Sequence, residues 1–135
     1  MAVFSDSALF YTTLQTLFAR IEQIDTNVID DLLSTRMVFR IDVSNPSALI
    51  TINGRTKPLQ IDYGPSKSRP DLTLSTSADT LHLILSDSLS VKQAYLNKEI
   101  MVRGPFWKIM PLVKVFEISR QIYPQIVAEN GLNPK

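Results

Sequence analysis

Phe10, Leu14, Leu17, Phe18 and Ile21 recur three and four residues apart, the spacing of one helix face. They predict an amphipathic helix that ends near Ile24. Ser5 or Ser7 is placed to cap it, with Asp6 favourable near its positive end. Asp25-Thr26-Asn27 offers a break and a new cap, after which Val28, Ile29, Leu32 and Leu33 suit a short second helix. The period then switches to two. Met37, Phe39, Ile41 and Val43 alternate with Val38, Arg40 and Asp42, the pattern of a half-buried strand. Ile50 and Ile52 mark a second strand between the turn at residues 44–47 and Asn53-Gly54. Leu59, Ile61 and Tyr63 alternate in a third. Leu72 and Leu74 face away from Thr73 and Ser75 in a fourth, spanning Asp71 to Thr76.

Helical spacing returns at Leu81, Ile84 and Leu85, behind a Ser77 cap with Asp79 in the first turn. Ser88 or Ser90 caps the next short helix, which carries Val91, Ala94 and Tyr95. Glu99 to Arg103 reads as a fifth strand with Ile100 and Val102 inward. Gly104 permits a tight turn and Pro105 suits a first helical position. The last helix is expected through Phe106, Trp107, Ile109, Met110, Val113, Phe116 and Ile118, kinked or restarted at Pro111. Residues 125–135 read as a loose tail. Short sequential turns favour an antiparallel sheet, and helices on one face of it give an α+β layering.

Length and charge narrow the functions. The 135 residues fit a single domain spanning 1–135, with enough core to need no metal or disulfide. A net charge of +1 with scattered basic residues gives no field strong enough to gather nucleic acid or an anionic membrane. The absence of cysteine removes disulfides, thiolate metal sites and cysteine nucleophiles. The first fifteen residues lack a basic leader and are broken by Ser5, Asp6 and Ser7, and no stretch approaches a membrane span. A soluble, cytoplasmic protein is the expectation, without membrane insertion, though transient membrane contact is compatible with it.

The segment from Asp71 to Gly104 resembles the sterol carrier protein 2 family. Asp71-Leu72-Thr73-Leu74-Ser75 matches its aspartate-bearing strand, and Ser77-Ala78-Asp79-Thr80-Leu81 its capped helix. Residues 94–104 (AYLNKEIMVRG) resemble the family pattern A-F-x-x-G-K-I-x-V-x-G. The strand around Phe39-Arg40-Ile41 and the N-terminal helix also fit. Lys98 and Glu99 stand where the family usually has glycine and lysine, Asp87-Ser88 replaces a frequent Gly-Lys, and Pro111 interrupts the last helix. The resemblance implies a five-stranded, mainly antiparallel sheet with helices on one face and an apolar tunnel between them. It also implies binding of fatty acids, acyl-CoAs, phospholipids or sterols.

The chemistry-bearing residues are sparse. His82 is the only histidine, and a general base needs a partner and a positioned substrate; Asp79 or Asp71 is the nearest candidate. A single neutral or surface histidine is the simpler reading. One histidine and no cysteine build no ordinary transition-metal site, and the four glycines form no phosphate loop. No cofactor is expected. Phe39, Tyr95, Trp107, Met110 and Phe116 are plain core on the simplest reading; under the resemblance some of them line a cavity. Leu72, Leu74, Ile100 and Val102 would then form a sheet wall, and Leu81, Leu85, Trp107, Met110, Val113 and Phe116 a helical wall. Arg103, Lys108 and Lys114 would meet a headgroup. The function expected is non-catalytic binding and intracellular transfer or sequestration of a lipid. A protein-interaction module with an empty core is the alternative, and an enzyme acting on bound lipid through His82 a weaker one.

Overall fold

The computed structural model describes residues 3–130. Its elements run α1 (Ser7–Ile24), α2 (Thr26–Ser34), β1 (Val38–Ser44), β2 (Ala48–Asn53), β3 (Gln60–Tyr63), β4 (Leu72–Ser77), α3 (Ala78–Leu85), α4 (Val91–Leu96), β5 (Ile100–Arg103), α5 (Met110–Ser119) and α6 (Tyr123–Glu129), with a 3-10 turn at Phe106–Lys108. None of these helices is long and apolar enough to cross a membrane.

The strands form one sheet in the order β3-β2-β1-β4-β5. Three of its pairings are antiparallel, and β1 and β4 run parallel. The parallel pair arises because the chain leaves β3 at one edge and returns through residues 64–71 to the far side of β1. Phe39 therefore sits opposite Ile52 on one side and Leu72 on the other. The period of two sorts most of the residues, although Val38 and Thr51 on the opposite pleat are buried as well. Phe39, Ile41, Val43, Ile50, Ile52, Leu72 and Leu74 are buried, while Arg40, Asp42, Thr73 and Ser75 are on the opposite pleats and partly or fully exposed. Each fully buried aliphatic or aromatic side chain stabilises the fold by roughly 1.5–3 kcal/mol before entropy is counted.

Helix starts follow local side-chain chemistry. Asp6, rather than a neighbouring serine, caps α1, accepting from the Leu9 amide at 2.8 Å. Its carboxylate satisfies an orphan donor and complements the helix dipole together. Asp25 caps α2, Ser77 caps α3 and Ser90 caps α4. Asp71 opens β4: its Oδ2 accepts from the Val38 amide at 2.8 Å and both its oxygens accept from Arg55 Nη2 at 2.8 Å.

Two expectations change at the C-terminal end. Phe106 to Lys108 is a 3-10 turn, and α5 begins at Met110 with Pro111 in its first turn. The proline thus marks a helix start, the restart that was one of its two expected effects, and bends no helix. The loose tail expected from residue 125 is replaced through Glu129 by α6, which buries Tyr123, Ile126 and Val127. Their i, i+3, i+4 spacing is a helix face, and Pro124 is tolerated in the first turn. Arg20 on α1 clasps the Glu129 carboxylate with two bonds, one of 3.1 Å. Asn130 Nδ2 donates to Thr13 Oγ1 at 3.2 Å. Residues 131–135 lie outside the described residues.

Candidate functional site

Gly104 sets the direction in which the chain leaves the edge strand β5. Its φ is 105°, and a Cβ there would collide with the Asp71 carbonyl oxygen. Only glycine meets both demands. The chain therefore turns tightly off β5, forms the 3-10 turn and enters α5, leaving a gap between α5 and the inward face of β5.

That gap is an open cleft of about 310 Å³. Val91, Lys92 and Tyr95 of α4 line one side, Ile100 and Val102 of β5 the second, and Phe106, Ile109, Met110 and Val113 the third. Lys92 is the one charged residue among them. The volume falls at the low end of the roughly 300–1,000 Å³ of small-molecule sites. Tyr95, Phe106 and Met110 keep about half of their surfaces exposed, so the cleft opens to solvent along its rim. A broader depression of about 550 Å³ lies beside β3, lined largely by Gln60, Asp62, Ser66, Lys67 and Ser68. Its polar walls favour water over an apolar ligand.

The sequence-predicted wall residues fall into two groups, with Trp107 outside both. Tyr95, Ile100, Val102, Met110 and Val113 converge on the cleft. Phe39, Leu72, Leu74, Leu81, Leu85 and Phe116 are all buried in the core, away from it. Trp107 does neither: it is 68% exposed and packs edge-on against Phe106 at 5.6 Å. Arg103, Lys108 and Lys114 are exposed and do not line the cleft, and Lys114 Nζ lies 3.8 Å from Asp31 Oδ2 on α2. The cleft adds Val91, Lys92, Phe106 and Ile109 to the predicted set. Two short stripes carried that signal: Val91 and Tyr95 at i, i+4, and Phe106, Ile109, Met110 and Val113 at helical spacing.

His82 is buried, not on the surface. Its Nδ1 lies 2.7 Å from the Tyr123 hydroxyl, and burial pushes that phenol well above its ordinary range. The two carboxylates considered as its partners are engaged elsewhere. Asp79 Oδ1 accepts from the Val3 amide at 3.0 Å, and Asp71 is held by Val38 and Arg55. His82 lines neither the apolar cleft nor the polar depression. Among the described residues no group of acids and histidine is arranged to hold a metal ion.

The sequence model of the SCP-2 sterol transfer family matches residues 18–117. No curated protein matches the chain significantly. Among solved structures, the chain is similar to the sterol carrier protein domain 2 of Helicoverpa armigera, at 20% identity over 79% of this chain and 84% of that one, with a TM-score of 0.63. It is also similar to apo sterol carrier protein 2 from Yarrowia lipolytica, at 10% identity over 89% and 98%, with a TM-score of 0.63. Palmitated SCP2L2 from Aedes aegypti matches at 21% identity over 78% and 91%, with a TM-score of 0.57. At these identities the likeness to the solved structures is one of fold.

Proposed function

The chain belongs to the SCP-2 sterol transfer family, and from that premise we propose that it carries a lipid without transforming it, holding an acyl chain in the cleft between β5 and the start of α5. The family membership implies lipid binding or transfer. The observation that carries the finer reading is the character of the cleft: eight apolar or aromatic residues and one lysine around about 310 Å³.

Such a wall suits methylene groups. At ~0.8 kcal/mol each, about ten buried methylenes contribute ~8 kcal/mol, the scale of a micromolar Kd before the costs of ordering the chain. Met110 suits the rim because its unbranched side chain adapts to varied shapes. A longer chain, and the enclosed tunnel the family implies, require the 3-10 turn and the first turn of α5 to shift outward over the ligand. Lys92 at the rim is placed to meet a carboxylate or phosphate headgroup; Arg103, Lys108 and Lys114 are farther from the cleft's walls. The palmitated relative supports an acyl ligand here.

A catalytic reading has less support, because His82 is in the core and its ring is engaged with Tyr123. The test is mass spectrometry of the purified protein, native and after solvent extraction. A stoichiometric co-purified lipid, absent from a buffer control, is the expected result. No bound lipid, and no gain on incubation with lipid mixtures, would overturn the carrier reading in favour of an interaction module.

A further inference from the structure

Six of the eight large apolar side chains exposed among the described residues lie between positions 95 and 110: Tyr95, Leu96, Met101, Phe106, Trp107 and Met110. They form one face. Tyr95, Phe106 and Met110 rim the cleft, and Tyr95, Leu96 and Met101 line a second hollow around the same edge strand. Trp107 stacks edge-on against Phe106. An exposed apolar surface of this kind marks an interaction site.

The charge around it is one-sided. Residues 91–114 carry Lys92, Lys98, Arg103, Lys108 and Lys114 against a single acid, Glu99, in a chain with 14 basic and 13 acidic residues. The segment is therefore cationic and the remainder of the chain net acidic, which the overall charge of +1 conceals. Lys114 leans on Asp31. Among the described residues, Lys92, Lys98, Arg103 and Lys108 pair with no carboxylate.

We propose that this face docks on an anionic lipid bilayer, with Phe106 and Trp107 seated at headgroup depth and the cations around them on lipid phosphates. Aromatic residues with an apolar body settle at the membrane interface, and flanking lysines add electrostatic attraction to anionic lipid. A second copy of the chain fits less well, because a two-fold interface would press the cationic face against itself. The docking face shares Tyr95, Phe106 and Met110 with the cleft, so a chain leaving the bilayer would enter directly. The docking itself does not depend on cargo.

Trp107 is the only tryptophan, so its emission reports the contact. The protein is mixed with phosphatidylcholine vesicles, with and without phosphatidylglycerol, and followed by sedimentation and fluorescence. Expected are binding to the anionic vesicles, a blue shift of Trp107 emission, quenching by brominated acyl chains, and release by salt. Arg103→Glu with Lys108→Glu lowers partitioning by on the order of tenfold or more, and Trp107→Ser weakens it, all with unchanged melting curves. Indifference to both vesicle types, wild-type binding by the charge-reversed variant, or a dimer in buffer that already hides Trp107 would overturn the proposal. Co-purified lipid without vesicle binding would sink this proposal and leave the carrier reading standing; vesicle binding without cargo would do the reverse.

Discussion

His82 Nδ1 and the Tyr123 hydroxyl, 2.7 Å apart and both buried, join α3 to α6 through the core. The pair is part of the scaffold, flanked by Phe4, whose ring lies edge-on to the His82 ring at 6.3 Å. Removing the phenolic oxygen should therefore affect folding and spare binding. Tyr123→Phe is expected to cost ~1–3 kcal/mol, the range for leaving a buried polar group short of a partner. Urea unfolding measures this, and lipid uptake by the folded variant should equal wild type. Lost uptake at unchanged stability would return His82 to the candidate functional groups and add Tyr123 to them.

Lys98 adopts a φ of 62° in the turn after α4, and Asp87 one of 61° after α3. Both stand where the family commonly has glycine. A left-handed backbone costs a lysine roughly 1–2 kcal/mol, and aspartate tolerates it better. Lys98 is exposed and makes no ion pair among the described residues, so Lys98→Gly is expected to stabilise by ~1 kcal/mol and raise Tm by a few degrees. Asp87→Gly should gain less, because it also removes the 3.2 Å contact to Arg120. Calorimetry on the two variants checks the order.

Glu129 responds to acid in a way that reports the docking of α6. Its hydrogen bonds to Arg20, and secondarily the guanidinium charge, hold its carboxyl below the ordinary value of 4.5. The unfolded chain thus takes up this proton first as pH falls. The contribution is present above about pH 4.5 and is lost as pH drops through the lowered folded value. Hydrogen-exchange protection of the α6 amides should fall across that window in the wild type and depend less on pH in Arg20→Gln. Identical pH profiles would mean that the ion pair does not hold α6.

The strands and most helices were legible because burial on one side leaves a period in the sequence. Ser77 capped its helix as its position implied, and Ile100 and Val102 pointed inward as the alternation required. The parallel β1–β4 pair was not legible, since local turns carry no information about which strand a returning chain joins. Helix α6 was missed because Tyr123-Pro124 reads as a stop until the buried spacing beyond it is counted. In the site, composition could not separate core from cleft. Leu81 and Met110 both recur at helical spacing, yet Leu81 is buried and Met110 is 53% exposed; the difference lies in the turn that Gly104 makes.

Leu74 and Val102 face each other in register on β4 and β5, and together they offer the sharpest test of where the core ends. Leu74 is fully buried, so an added ring there must displace packed neighbours. Leu74→Phe is expected to cost ~1–3 kcal/mol, the usual penalty of overpacking. Val102 lines the cleft and has empty space in front of it. Val102→Phe should cost less than ~1 kcal/mol, because the ring fills a void instead of straining a core. Under the carrier reading it should also lower acyl-chain uptake several-fold. Met110→Trp should block uptake less completely, since Met110 sits at the exposed rim and a larger side chain there has a path outward. Uptake is read by titration with a fluorescent fatty acid, and stability by urea unfolding. A Val102→Phe variant that is folded, stable and unchanged in uptake would show that lipid does not enter between β5 and α5.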